Sequence, residues 1–225
     1  MKRNVLLQYA AATVAAVVLT VGVGPAVEAA QAQTGHAMTA MATSNGQAAG
    51  LRAGLNTLFQ EHIYLAGAAT GAALGGREGE FKAAAGALDA NSVAIAKAIG
   101  SVYGQEAEDA FLPLWRKHIG MVVDYTVGVA SHDKAKQDKA VADLIGYTQD
   151  FGAFLQAANP NLPKSVVADL VKHHVVTLKE VIDAQAAKDP VRTYTALRTA
   201  AGHMQMIADP LAEAIVKQFP DRFSS

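Results

Sequence analysis

The sequence contains no cysteine among its 225 residues. This absence excludes disulfide frameworks, thiolate metal sites and cysteine nucleophiles together. A site for a soft transition metal must therefore be built from histidine or methionine, of which the chain has 7 and 6.

The chain also lacks an excess of charge of either sign. It carries 19 basic and 20 acidic residues, for a formal net charge of -1. No long-range field favours a polyanion or an anionic bilayer, so we expect no nucleic-acid partner. Aromatic residues make up only 6% of the chain, but 51% of it is hydrophobic. That fraction supplies one sizeable core and excludes disorder for most of the chain.

The N-terminus has the pattern of a secretory signal peptide. Lys2 and Arg3 precede a largely apolar stretch from Val5 to Val23, and an Ala-x-Ala triplet lies at residues 30–32. We therefore assign residues 1–32 as a signal peptide and expect an exported protein that is periplasmic, secreted or attached to the cell surface. The alternative is an uncleaved membrane anchor, because the apolar stretch approaches the ~20 residues that a spanning helix needs.

The rest of the chain is predicted to be helical after a short linker. Residues 33–49 are rich in small and polar residues without apolar periodicity, which predicts a flexible tether. From residue 50 onward, apolar residues follow the i, i+3, i+4 spacing of helices, and no run alternates as a strand would. Turn residues divide this region, so we predict an all-α fold of six helices at about 50–75, 79–102, 106–131, 135–158, 163–187 and 190–218.

A repeat of 56 residues organises these helices. The landmarks recur in three copies, which are His62, His118 and His174, each followed by a turn at Gly76, His132 and Lys188. Helical repeats are recognised by landmarks at one fixed offset. The sequence therefore predicts a bundle of three helical hairpins, at about 50–105, 106–161 and 162–225.

The three repeated histidines share a position on the apolar face of their helices. The residues three, four and seven positions before each are apolar, so the imidazoles are predicted to point into the bundle. A buried imidazole needs partners for its ring nitrogens, and neutral imidazole is the commonest metal ligand. If the hairpins surround a pseudo-threefold axis, His62, His118 and His174 are predicted to converge on zinc or copper.

A linear array of hairpins gives the same period without bringing the histidines together. Each imidazole would then bond to a polar group of a neighbouring helix. Candidate partners in that case are Tyr64, Asp124, Tyr125, Tyr147, Asp150 and Glu180. The second helices also carry a polar residue 29 positions after each histidine, which predicts pairing with Asn91, Tyr147 and His203.

Two further clusters combine histidine and methionine, the copper ligands left to a chain without cysteine. His203, Met204 and Met206 lie on the predicted last helix and are additional candidate metal ligands. A second cluster in the tether consists of His36, Met38 and Met41.

Several signatures of enzymes are missing from the sequence. No glutamate has a histidine three residues later, as di-iron bundles require. The His-Glu-x-x-His motif, phosphate-binding glycine loops and the Gly-x-Ser-x-Gly motif are also missing. We therefore expect a protein that is not an enzyme.

Five segments carry a family resemblance, namely Leu58 to His62, Ala98 to Gly104, Trp115 to His118, Asp124-Tyr125 and Gln218 to Phe223. Together they resemble a poorly characterised group of exported bacterial helical proteins, some of which carry a copper-amine-oxidase-related label. Copper amine oxidases themselves make a redox cofactor from a tyrosine that follows asparagine, and this sequence has no Asn-Tyr dipeptide. The resemblance therefore transfers no catalytic residue, and it implies only a preference for copper among the metals.

These patterns predict an exported helical protein whose function is binding, with copper or zinc as the candidate ligand. The alternative is a structural or adaptor module whose hairpins present a helical groove to a protein of the cell envelope, without metal. A third alternative is a carrier or enzyme that uses an apolar cavity between hairpins.

Overall fold

A computed structural model describes residues 46–223. The predicted signal peptide and the His36, Met38 and Met41 cluster lie outside these residues, as does most of the predicted tether. Residues 47–49, which we assigned to the tether, belong instead to the first helix. Among the helices of the described region, none has the length and apolarity needed to cross a membrane.

The described chain is helical throughout, with no strand between residues 46 and 223. Its elements are α1 (Gln47–Leu74), α2 (Glu78–Tyr103), α3 (Gln105–Ala130), α4 (Lys134–Ala158), α5 (Lys164–Ala186), α6 (Pro190–Gln218) and the short α7 (Pro220–Phe223). The six long helices begin and end within three residues of their predicted bounds. The all-α prediction is therefore confirmed.

The turn inside each hairpin has the same backbone geometry in all three copies. Gly76, His132 and Lys188 adopt positive φ angles of 67°, 57° and 56°. In each turn, the next amide N–H donates to the carbonyl five residues earlier, at 2.9, 2.8 and 3.1 Å respectively. This is the Schellman motif, in which a left-handed residue ends the helix and satisfies its last carbonyls. The repeat in the sequence is thus also a repeat of backbone structure.

The three hairpins close into a ring. Each long helix packs against the next one along the chain, and α6 packs back against α1. The first helices of the hairpins, α1, α3 and α5, also contact one another, whereas α2, α4 and α6 each lie between two of them. This arrangement places α1, α3 and α5 around a pseudo-threefold axis, and the linear array is excluded.

One end of the ring is held by side-chain hydrogen bonds among all three hairpins. The Asn159 side chain is buried, and its Nδ2 donates to the Tyr103 hydroxyl at 3.0 Å. That hydroxyl donates to Gln218 Oε1 at 2.9 Å, and Gln218 Nε2 donates to the Ala158 carbonyl at 3.0 Å. The network ties the ends of α2, α4 and α6 together and supports closure of the ring.

Candidate metal centre

The three repeated histidines lie on the three inner helices. His62 belongs to α1, His118 to α3 and His174 to α5. Their exposed fractions are only 1%, 3% and 4%, so all three side chains are buried. The predicted inward orientation is therefore confirmed.

The closed ring brings the three imidazoles together. His62 Nε2 lies 3.4 Å from His118 Nε2. One ring nitrogen of each histidine, His174 included, lies within 4.8 Å of those of the other two. Nitrogens that share a tetrahedral metal at ~2.0 Å are about 3.3 Å apart, so a small contraction of the cluster gives metal-binding geometry.

Burial keeps these imidazoles neutral at physiological pH. Loss of hydration lowers the pKa of His118 to about 3 and that of His174 to about 4, and the nearby histidines add to both effects. The pKa of His62 is lowered well below its ordinary value by burial and then by His118 and His174. A neutral imidazole offers a lone pair without first losing a proton, so protons compete little with a metal here.

The cluster has more hydrogen-bonding capacity than partners. The Nδ1 atoms of His62, His118 and His174 are buried and have no hydrogen-bond partner among residues 46–223. A buried polar nitrogen without a partner costs free energy, and such groups are uncommon in folded proteins. Structural packing alone does not account for three imidazoles at this point.

Cavities border the cluster on two sides. A cavity of about 630 Å³ is lined by His62 and His118, and its wall also includes the charged residues Asp89, Arg116 and Lys117. A second cavity, of about 260 Å³, is lined by His118 and His174. A metal ion therefore has a polar route of entry to the buried nitrogens, as a functional site requires.

The predicted pairing of the histidines with polar residues of the second helices is wrong for two of the three copies. Asn91 Nδ2 donates to the Leu58 carbonyl at 2.9 Å, and His203 Nε2 lies 3.0 Å from the Leu170 carbonyl. Leu58 and Leu170 each precede a repeated histidine by four residues. The second-helix side chains therefore contact the backbone one turn away, which leaves the imidazoles directed toward the axis.

The remaining predicted partners are mostly engaged elsewhere or exposed. The Tyr125 hydroxyl donates to Asp183, Glu180 pairs with Arg192, and Asp150 pairs with Lys117. Tyr64 and Asp124 are exposed. Tyr147 alone of the six stacks close to the cluster, with its ring centroid 5.3 Å from that of His118.

The additional candidate ligands on α6 differ in position. His203 lies outside the three-histidine group, and its ring stacks on His173 with centroids 4.1 Å apart. Met206 is exposed. Met204 is buried and lines the same cavity as His118 and His174, so its role as a ligand stays a prediction.

The sequence analysis did not single out Trp115 as part of the site. Its ring centroid lies 4.7 Å from that of His118 and 5.0 Å from that of His62. The signal was its repeat position, which is occupied by Phe59 in the first copy and Val171 in the third. No known protein family, curated protein or solved structure matches the chain, so the family resemblance stays a prediction.

Proposed function

We propose that this protein is an exported helical binding protein that holds one transition-metal ion, copper or zinc, through His62, His118 and His174. The observation that carries the proposal is that three buried ring nitrogens from three different helices lie within 4.8 Å of one another. Three imidazoles are a known ligand set for both metals.

The surroundings of the cluster favour the cuprous ion over zinc. Within the described residues, the group of potential ligands contains no carboxylate to offset the charge of the metal. Burying a charge without a counter-charge costs free energy, and the cost rises steeply with charge. A monovalent ion therefore loses less on entry than a divalent one, and Cu⁺ is also the softer ion.

The missing outer-shell contacts indicate exchangeable binding. Imidazoles that bind a metal usually donate their other N–H to a carboxylate or carbonyl, and loss of such a contact typically lowers affinity by about 10- to 100-fold. The three Nδ1 atoms have no such acceptor in the region from residue 46 to 223. This favours a protein that accepts and releases its ion over one that uses it as a permanent structural support.

The test is titration of the purified chain with Cu⁺ and Zn²⁺ by competition with a chelator of known affinity. Trp115 is the single tryptophan and lies beside two of the imidazoles, so its fluorescence reports on the site. We expect one ion per chain, with Cu⁺ bound more tightly, and X-ray absorption showing nitrogen ligands at ~2.0 Å.

The decisive variant is His118→Leu, and its matched control is His132→Asn. His132 is an exposed turn residue with φ 57°, and asparagine tolerates that conformation. We expect His118→Leu to lose metal binding and His132→Asn to keep it. Equal binding by the two variants would refute the proposal and favour the adaptor alternative, in which the repeat serves packing alone. Export is tested separately, by sequencing the N-terminus of the secreted protein for cleavage between about residues 29 and 32.

A further inference from the structure

A cavity between the second and third hairpins has no counterpart predicted by the repeat. Its volume is about 260 Å³, and its wall is mainly apolar and aromatic. The cavity arises where the copies differ in size, because Val171 occupies the position of Phe59 and Trp115. All three of these side chains line it.

Two polar groups of the cavity wall have no partner. The Tyr147 hydroxyl and the Trp115 Nε1–H are buried without a hydrogen bond in the described chain. The side chains of Tyr147 and Trp115 are only 2% and 6% exposed, and both line the cavity. Buried donors and acceptors of native proteins are normally paired, so two unpaired groups in one cavity wall indicate a ligand that pairs with them.

The departure of Tyr147 from the repeat supports this assignment. At the equivalent position of the first and third copies, Asn91 and His203 each bond to a backbone carbonyl of the neighbouring helix. Tyr147 makes no such bond, and its hydroxyl stays unpaired. The packing role that explains Asn91 and His203 therefore does not explain Tyr147.

We propose that this cavity binds a neutral molecule built on one aromatic ring that carries a hydroxyl group. The volume suits a substituted ring, since an apolar cavity of about 150 Å³ already holds benzene. A hydroxyl oxygen accepts from Trp115 Nε1–H and also pairs with the Tyr147 hydroxyl. The charged side chains of the wall, Glu213 and Lys217, are exposed and opposite in sign, so the interior favours a neutral ligand.

The aromatic wall gives the ring a defined surface. Phe111 and Phe59 stack on Trp115, with centroid distances of 5.4 and 5.7 Å, and Phe151 lies 6.0 Å from the same ring. A further ring adds to this cluster through offset or edge contacts. This ligand site is separate from the metal proposal, although His118 and His174 border both.

The probes for the test are 4-fluorophenol and fluorobenzene, which differ by the hydroxyl group alone. Their dissociation constants are measured by ligand-observed fluorine NMR on the purified chain with EDTA present. EDTA removes any metal, so the outcome does not depend on the proposed metal function. We expect the wild-type chain to prefer 4-fluorophenol, because only that probe pairs with Tyr147 and Trp115.

Three variants separate the hydroxyl effect from general apolar binding. Tyr147→Phe should reduce the preference for 4-fluorophenol about three- to tenfold, the effect of one neutral hydrogen bond. Val171→Phe restores the residue type of the first copy and should abolish binding of both probes by filling the cavity. The control, Tyr64→Phe, changes an exposed tyrosine and should bind as the wild type does.

Two results would overturn the assignment. One is wild-type binding without preference between the probes, or no binding of either probe. The other is a preference that survives in Tyr147→Phe, because the hydroxyl pairing would then not exist. Circular dichroism of each variant shows whether it is folded, and Tyr147→Phe keeps the test decisive if Val171→Phe does not fold.

Discussion

Acid is expected to destabilise this protein early, through the buried histidines. The pKa of His118 is lowered to about 3 and that of His174 to about 4, mainly by burial. In the unfolded chain both titrate near ~6.5. Between these values the unfolded state binds protons that the folded state does not, so stability falls as the pH drops.

The size of the effect follows from the same pKa values. Below the unfolded pKa, each unit of pH costs about 1.4 kcal/mol per histidine until the folded pKa is reached. Between about pH 7.5 and about pH 5, this amounts to about 2 kcal/mol for each histidine, or about 4 kcal/mol for His118 and His174 together. The pKa of His62 is lowered in the same direction and adds to the loss. Such a loss is a large part of the roughly 5–15 kcal/mol by which folded proteins are typically stable.

The assay is urea unfolding at about pH 7.5 and about pH 5, followed by far-UV circular dichroism with EDTA present. The test variant is His118→Leu combined with His174→Leu, in which alkyl groups replace two buried imidazoles. The matched control is His132→Asn combined with His173→Gln, because His132 and His173 are exposed. We expect the control to lose as much stability in acid as the wild type, and the test variant to lose about 4 kcal/mol less.

One result would refute the reasoning about buried, neutral histidines. If the test variant and the wild type lose the same free energy of unfolding between the two pH values, His118 and His174 are hydrated in the native state. Their inward assignment would then be wrong, and the metal proposal would lose its basis.

Two further predictions concern packing and helix ends. Asn91→Leu should lower the free energy of unfolding by about 1–3 kcal/mol, because the buried Leu58 carbonyl and Glu61 lose their donor; an unchanged urea midpoint would contradict this. Asp133→Ala removes the side chain that accepts from the Lys136 amide at the start of α4. It should cost about 1 kcal/mol and lower the melting temperature by about 2–4 °C, and a melting temperature equal to the wild type would show that the cap contributes nothing.

Much of the fold was predictable because its signals are local. Apolar periodicity fixed the six long helices to within three residues, since each helix needs one continuous face for burial. The recurrence of Gly76, His132 and Lys188 marked the turns, where a positive φ is a property of a few neighbouring residues. The inward position of the histidines followed from the same spacing. Each of these features depends on residues within a few turns of one another.

The convergence of the histidines was decided by tertiary structure alone. A period of 56 residues is equally compatible with a linear array and with a closed ring, because it describes one hairpin and not the angle between hairpins. Closure depends on contacts between α1 and α6, at opposite ends of the described chain, and on the network of Tyr103, Asn159 and Gln218. The cavity beside Val171 and the free hydroxyl of Tyr147 likewise arise from which helices meet. Sequence periodicity assigns a side chain to a helix face, but only the packing of distant helices determines what that face meets.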